Sequence, residues 1–313
     1  MAIGLPDRVP RGDVVAELNF FAPPADGATP FNYVDTPPPG EPQRNFGDDI
    51  RKVLIQDIRG RETEFAETPA SLDRNAFLLV QNQPPSAEKD FVDDESIRRN
   101  YYPEIEALLL DRVPGATRVV IFDHTIRRAV KDKEDQKDKD NEKNGAEVGA
   151  TPKRGPVLRV HIDQTAHAAA GRVRRHLPGE EAELALQSRY RIINVWRPLN
   201  KGPVESSPLA FASSASVRDE DVVTVEHRYP KERNFVGQTA GIQYHPDQKW
   251  HYLSGMTGDE RLLLECFDSE ALRPGNTTVK GGRLAHTAFT DPRSPPQAEG
   301  RESIEVRTLV FGP

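Results

Sequence analysis

Pro156-Val157-Leu158-Arg159-Val160-His161-Ile162-Asp163 alternates apolar and polar side chains, the period of a strand with one face turned to a core. Residues 189–196 (RYRIINVW) read as a stronger strand, closed by Pro198. Between the two lie short helical stretches at 165–176 (TAHAAAGRVRRH), weakened by Gly171, and at 178–188 (PGEEAELALQS). Strand-like pieces follow at 221–226, 241–244, 249–254, 261–267 and 302–311. Short strands separated by frequent turn residues predict an antiparallel barrel or sandwich.

Working outward, residues 1–50 read as an irregular Pro-rich arm with brief extended pieces such as 14–21 (VVAELNFF). Pro37-Pro38-Pro39 fits neither a helix interior nor a central strand. The remainder, 51–313, is expected to be one domain, with strands at 51–60, 75–81 and 116–123. A helix is expected from Ser96 to Pro114, interrupted at Pro103. Residues 131–143 (KDKEDQKDKDNEK) hold no apolar side chain, so 131–150 is expected to be a mobile charged loop. Alternating lysines and the lack of a turn glycine argue against a calcium loop there.

Composition narrows the function classes. With 27 Pro and 22 Gly, a coiled coil or a simple helical bundle is excluded. No run of about 18 apolar residues exists to span a bilayer. A net charge of −7 disfavours nucleic acid or an anionic membrane as partner and leaves a small-molecule substrate. The start, MAIGLPDRVPRGD, lacks the apolar stretch of a signal peptide, so a soluble cytoplasmic protein is expected. The single Cys266 excludes a disulfide framework and reads as a buried packing residue. Neither a dinucleotide fingerprint, a P-loop nor a nucleophile elbow is present in the sequence.

The chemistry concentrates at His161 and Asp163. On a strand, positions i and i+2 share a face, so an imidazole and a carboxylate are presented to one point. That is two thirds of a 2-His-1-carboxylate iron site, which keeps coordination positions open for oxygen and a bidentate co-substrate. The third ligand is His286, in GGRLAHTAF after the Gly281-Gly282 turn, or His251, flanked by Trp250 and Tyr252. What favours His286 is Arg301 and Ser303, which open the last strand on a shared face. An arginine fork beside a hydroxyl can grip a carboxylate at both oxygens, and an iron enzyme using a dicarboxylate co-substrate needs such a clamp. Tyr190, Ile192, Asn194 and Trp196 share the face of 189–196 expected to look into the barrel. Asn194 or Tyr190 would hydrogen-bond the keto acid or the substrate.

His-x-Asp, a distant His and Arg-x-Ser resemble the Fe(II)/2-oxoglutarate-dependent oxygenases. Several blocks in order look like the AsaB/CmcJ-type hydroxylase/desaturase family: 122–128 (FDHTIRR), 161–178, 189–199, 250–269 and 286–307. The resemblance covers roughly 115–310 and implies a mainly β, α+β fold. Its core would be a double-stranded β-helix (a jelly-roll, cupin-like barrel) with flanking helices. It also implies Fe(II) held by His161, Asp163 and His286, with 2-oxoglutarate and O2 as co-substrates. Arg301 and Ser303 would take the distal carboxylate of 2-oxoglutarate. The gap from His286 to Arg301 is longer than the family usually shows, which leaves Arg307 as the substitute. Trp196, Arg197, Arg127 and Phe289 are the candidate substrate contacts. The expected outcome is hydroxylation, desaturation or oxidative cyclisation of a secondary metabolite or its precursor. Two alternatives remain from the sequence: a cupin-like binding or accessory protein without turnover, and the methyltransferase label some relatives carry. The latter would expect a Gly-rich loop after an early strand of an α/β fold. The sequence leaves open whether the arm closes the site or mediates contact in a homodimer.

Overall fold

The computed structural model describes residues 9–65, 68, 70–128, 155–229 and 236–312. The charged loop expected at 131–150 lies outside the described residues. The strands are β1 (Val14–Ala22), β2 (Phe31–Tyr33), β3 (Gly47–Asp57), β4 (Phe77–Val80), β5 (Arg118–Arg128), β6 (His161–Ile162) and β7 (Tyr190–Pro198). Then follow β8 (Leu209–Ala212), β9 (Val222–Arg228), β10 (Val236–Ile242), β11 (Trp250–Tyr252), β12 (Arg261–Asp268), β13 (His286–Ala288) and β14 (Glu302–Phe311). Six helices flank them: α1 (Glu62–Phe65), α2 (Ala70–Asn75), α3 (Asp94–Asn100), α4 (Tyr102–Arg112), α5 (Ala166–His176) and α6 (Gly179–Gln187).

The strands form two sheets, one of nine strands in the order β1-β3-β11-β8-β13-β6-β10-β9-β2 and one of five in the order β4-β12-β7-β14-β5. Most neighbours are antiparallel. The expected mainly β jelly-roll class is the observed one.

Alternation along β7 shows how the layers pack. Ile192 and Trp196 face the space between the sheets with Phe211, Leu262, Leu264, Leu284 and Leu309. Ile193 and Val195 face the other way, onto Ile97 of α3, Tyr101 at the junction, and Ile105 and Leu109 of α4. A strand buried on both faces reads as an almost continuous apolar run, which is why 189–196 stands out in the sequence. The helices have clear local causes. The Asp93 carboxylate caps α3 by accepting the Ser96 N–H at 2.6 Å, so that helix starts just before Ser96. Pro103 sits in the first turn of α4, where its missing N–H costs nothing. Thr165 caps α5 by accepting the Ala168 N–H at 3.2 Å.

Two expectations need correction. The arm expected over 1–50 is not irregular throughout: β1 pairs along its whole length with β3, Val14 to Ile55 through Ala22 to Gly47. The boundary expected at residue 50 therefore falls inside β3. The prolines of this region occupy the connections between strands, where they break no ladder. Conversely, the strand expected over 156–163 is paired only at His161 and Ile162, with one bridge from Arg159 to Asn19.

Candidate metal centre

His286 on β13 pairs directly with His161 on β6, and on its other side with Phe211 on β8. Directly opposed residues of antiparallel strands project to the same face, so the two imidazoles meet with ring centroids 4.5 Å apart. The approach to β13 is set by Gly281 and Gly282, both at positive φ (77° and 57°). That backbone is open to glycine and strained for other residues. Asp163 follows His161 by two residues, and its Oδ1 lies 3.4 Å from His161 Nε2. One ligand atom from each of His161, Asp163 and His286 lies within 4.8 Å of the others.

The rings are oriented for a cation. His161 Nδ1 donates to the Arg159 carbonyl at 2.7 Å and His286 Nδ1 to the Leu284 carbonyl at 3.1 Å. A proton on Nδ1 leaves each Nε2 with its lone pair, the tautomer a metal requires. Burial, reinforced by His161, pushes His286 down to about 4, so it is neutral near pH 7. Burial pushes the Asp163 carboxyl up, but the contact with His161, then Arg307 and His286, outweigh it and hold it well below its ordinary value. Two imidazoles and one carboxylate fit Fe(II).

The segment carrying His161 is anchored from the N-terminal strands. Arg159 bonds Asp48 of β3 through Nε at 3.0 Å and Nη2 at 2.6 Å, and lies over the Phe46 ring. From the opposite sheet, Asn194 Nδ2 donates to Asp163 Oδ2 at 2.6 Å, and Arg307 Nε lies 3.7 Å from the same oxygen. Arg307 is itself held by Glu305 at 3.1 Å and Asp123 at 2.8 Å. Burial pushes Glu305 up, Asp163 adds to this, and Arg307 opposes it. Cys266 packs behind this group with its thiol pushed up by burial and by Asp163 and Glu305.

The structure separates the other candidates. Arg301 is 2% exposed, donates from Nη1 to the Ser207 carbonyl at 2.7 Å and lies over Trp196. Its Nε is buried without a partner. No carboxylate pairs with Arg301 among the described residues, whereas Arg307 already faces three. Burial, with repulsion from Arg127, pushes Arg301 down to about 9. Ser303 is buried and pairs with Arg127 on β5. Asn194 and Trp196 thus sit where the shared face of β7 predicts.

Tyr190 does not reach the centre. It lies four residues from Asn194, about 13 Å along the strand, and packs on Phe267. Arg197 is on the reverse face of β7, over Phe91 and Tyr101. Phe289, just past β13, packs against Tyr252 on the outer side of the large sheet. His251 is buried among Phe65, Phe77 and Phe211 and is not part of the cluster.

A cavity of about 880 Å³ is lined by His251, Trp250 and Lys249 rather than by the triad. A smaller one of about 90 Å³ opens at Asp163, walled by His167, Arg172 and Arg175 of α5 and by His227 and Tyr229. The α5 arginines are a wall that sequence reasoning missed, because only the docking of α5 brings them to Asp163. For the described residues, no helix is long and apolar enough to cross a membrane.

Known proteins resemble the chain over nearly its whole length. The family described as "Oxidoreductase/YMDC permease-like domain" matches residues 18–311. The hydroxylase/desaturase poxK of Penicillium oxalicum is 36% identical, over 96% of this chain and 92% of that protein. The chain belongs to the hydroxylase/desaturase family. Within that family it is also similar to the Fe(II)/2-oxoglutarate-dependent dioxygenase nvfI of Aspergillus novofumigatus, at 33% identity over 95% of this chain and 96% of that one. A solved structure of the iron and alpha-ketoglutarate-dependent endoperoxidase NvfI superposes with a TM-score of 0.75 at 30% identity, covering 97% of this chain and 99% of that one.

Proposed function

We propose that this hydroxylase/desaturase is an Fe(II)/2-oxoglutarate-dependent dioxygenase that oxidises a C–H bond of a small secondary metabolite, with His161, Asp163 and His286 as the iron ligands. The observation that carries the reading is the convergence of these three side chains with both Nδ1 atoms already committed to backbone carbonyls. Bound there, Fe(II) supplies the activation of O2 that couples decarboxylation of 2-oxoglutarate to substrate oxidation.

The chain's own residues do the binding and orienting. Arg301 takes the distal carboxylate of 2-oxoglutarate. A deeply buried guanidinium without a carboxylate partner is an incomplete ion pair, and an anion completes it. Arg307 is unsuited to that task because Asp123, Glu305 and Asp163 already surround it. Arg127, whose charge bears on both Arg301 and His286, adds positive field on the same side. Trp196 supports the guanidinium from below, and Ser303 lies beside it on the strand. The apolar lining between the sheets, Phe211 and Leu284 among it, excludes water from the oxidising centre. The methyltransferase label gains nothing from this fold, whose core is two β-sheets rather than an α/β layer.

Anaerobic addition of Fe(II) and 2-oxoglutarate is expected to give a weak visible charge-transfer band, and aerobic incubation to release succinate. Absence of both from folded protein overturns the reading. Binding of S-adenosylmethionine without iron would favour the methyltransferase instead.

A further inference from the structure

Asp163 has two carboxylate oxygens, and the protein treats them differently. Oδ1 faces His161 Nε2 at 3.4 Å. Oδ2 accepts from Asn194 Nδ2 of the opposite sheet at 2.6 Å, and the charge of Arg307, whose Nε donates to Glu305, lies 3.7 Å from it. Asn194 is fully buried in the middle of β7, with its Oδ1 unpartnered and its Nδ2 committed to Asp163. Its flanking strand neighbours on that face are Ile192 and Trp196, both core residues. In register with it on β14 stands Arg307. Arg307 in turn is fixed by Glu305 on its own strand and by Asp123, its partner on β5. The chain of contacts thus runs from three strands of the five-stranded sheet, β5, β14 and β7, across the interior to the one carboxylate of the triad.

From this we infer that Asn194 and Arg307 are positioning residues for Asp163: the Asn194 amide occupies Oδ2 and the charge of Arg307 holds the carboxylate on that side, so that Oδ1 alone is offered to the metal. The inference rests on the assignment of the triad as iron ligands. A carboxylate free to rotate would offer both oxygens and close a coordination position that the co-substrates need. Holding one oxygen preserves the open positions and sets the carboxylate before the metal arrives, which raises affinity. Glu305 and Asp123 neutralise Arg307, so its charge does not repel the incoming cation.

The test measures Fe(II) dissociation constants anaerobically for the wild type, Asn194→Leu, Arg307→Lys and His161→Ala, with thermal melting of each metal-free protein as the folding control. Asn194→Leu keeps the volume and the net charge while deleting the donor. It is expected to weaken Fe(II) binding about 10–100-fold and to move the charge-transfer band formed with 2-oxoglutarate. The KM for 2-oxoglutarate at saturating iron should stay within about twofold, since Arg301 is untouched. Arg307→Lys keeps the charge but cannot fork between three carboxylates, and should show a smaller loss in the same direction. Should Asn194→Leu fail to fold, Arg307→Lys carries the test by itself.

Wild-type affinity and an unmoved band in the folded variants, with iron binding lost in His161→Ala, overturn this inference and leave the triad standing. Unchanged iron binding in His161→Ala overturns the triad assignment itself.

Discussion

Replacing Arg301 by Met should make the ligand-free protein more stable and at the same time cripple its use of 2-oxoglutarate. Arg301 is 2% exposed and pushed down to about 9, first by burial and then by Arg127. The folded value is the lower one, so the unfolded chain holds the proton more tightly. The cost is therefore fully present at every pH below about 9 and fades only as alkalinity approaches the unfolded value. Against the ordinary guanidinium value, that shift corresponds to a cost of about 5 kcal/mol. Methionine removes the buried charge, leaves the Ser207 carbonyl without its donor (~1–2 kcal/mol) and loses the stack on Trp196 (~1 kcal/mol). The net expectation is a gain of about 1–3 kcal/mol, or ~2–5 °C in melting temperature for a chain of this size. The same substitution should weaken 2-oxoglutarate about 30- to 1,000-fold, the usual loss on truncating one side of a buried charge pair. Differential scanning calorimetry of the metal-free protein and titration of the charge-transfer band read the two effects separately. A variant destabilised by more than about 2 kcal/mol would refute the uncompensated-charge argument. Unchanged 2-oxoglutarate affinity would refute the role of Arg301 as the clamp.

Further outcomes follow from the same geometry. Asp163→Ala should abolish iron binding and drop succinate release by at least about 100-fold, while the metal-free protein still melts cooperatively. His251 and His286 are both pushed down to about 4, first by burial. Each binds its proton more readily unfolded, so stability should fall as pH drops from about 6.5 toward 4, by up to ~3 kcal/mol per histidine. His251→Leu should flatten part of that decline in a urea-unfolding series and leave iron affinity within twofold (~0.4 kcal/mol); a tenfold loss of iron would restore His251 as a ligand. In Gly241→Ala the new Cβ would lie 2.6 Å from Phe21 Cδ2, on the strand position paired with His161. Chemical denaturation should show a loss of about 1–3 kcal/mol, accompanied by weaker iron binding; a neutral result would mean that Phe21 moves aside freely.

How much of this was legible depends on the range over which each fact is decided. His161 and Asp163 were legible because i and i+2 on an extended chain share a face whatever the rest of the fold does. His286 was reached less directly, through the Arg301-x-Ser303 clamp, and its pairing with His161 is the physical reason the two imidazoles meet. The inward face of β7 followed from alternation, and the same alternation puts Arg197 outside, beside Trp196, which makes its candidacy as a substrate contact inconsistent with that face. Tyr190 shared the right face but lay too far along the strand, a distance that facing alone does not reveal. The brace of Arg307, Glu305 and Asp123 was not legible, since it depends on the register of β5, β14 and β7. β1 and β3 were obscured by proline-rich connections, although Asp48 of β3 ends up steadying Arg159 beside the metal centre.

An anomalous-difference map collected at the iron edge, on crystals grown anaerobically with Fe(II), addresses the central assignment most directly. The expected result is one peak per chain, bonded to His161 Nε2, Asp163 Oδ1 and His286 Nε2, with Asn194 still on Asp163 Oδ2. Iron seated elsewhere, or a peak lacking any one of those three side chains, would contradict the account.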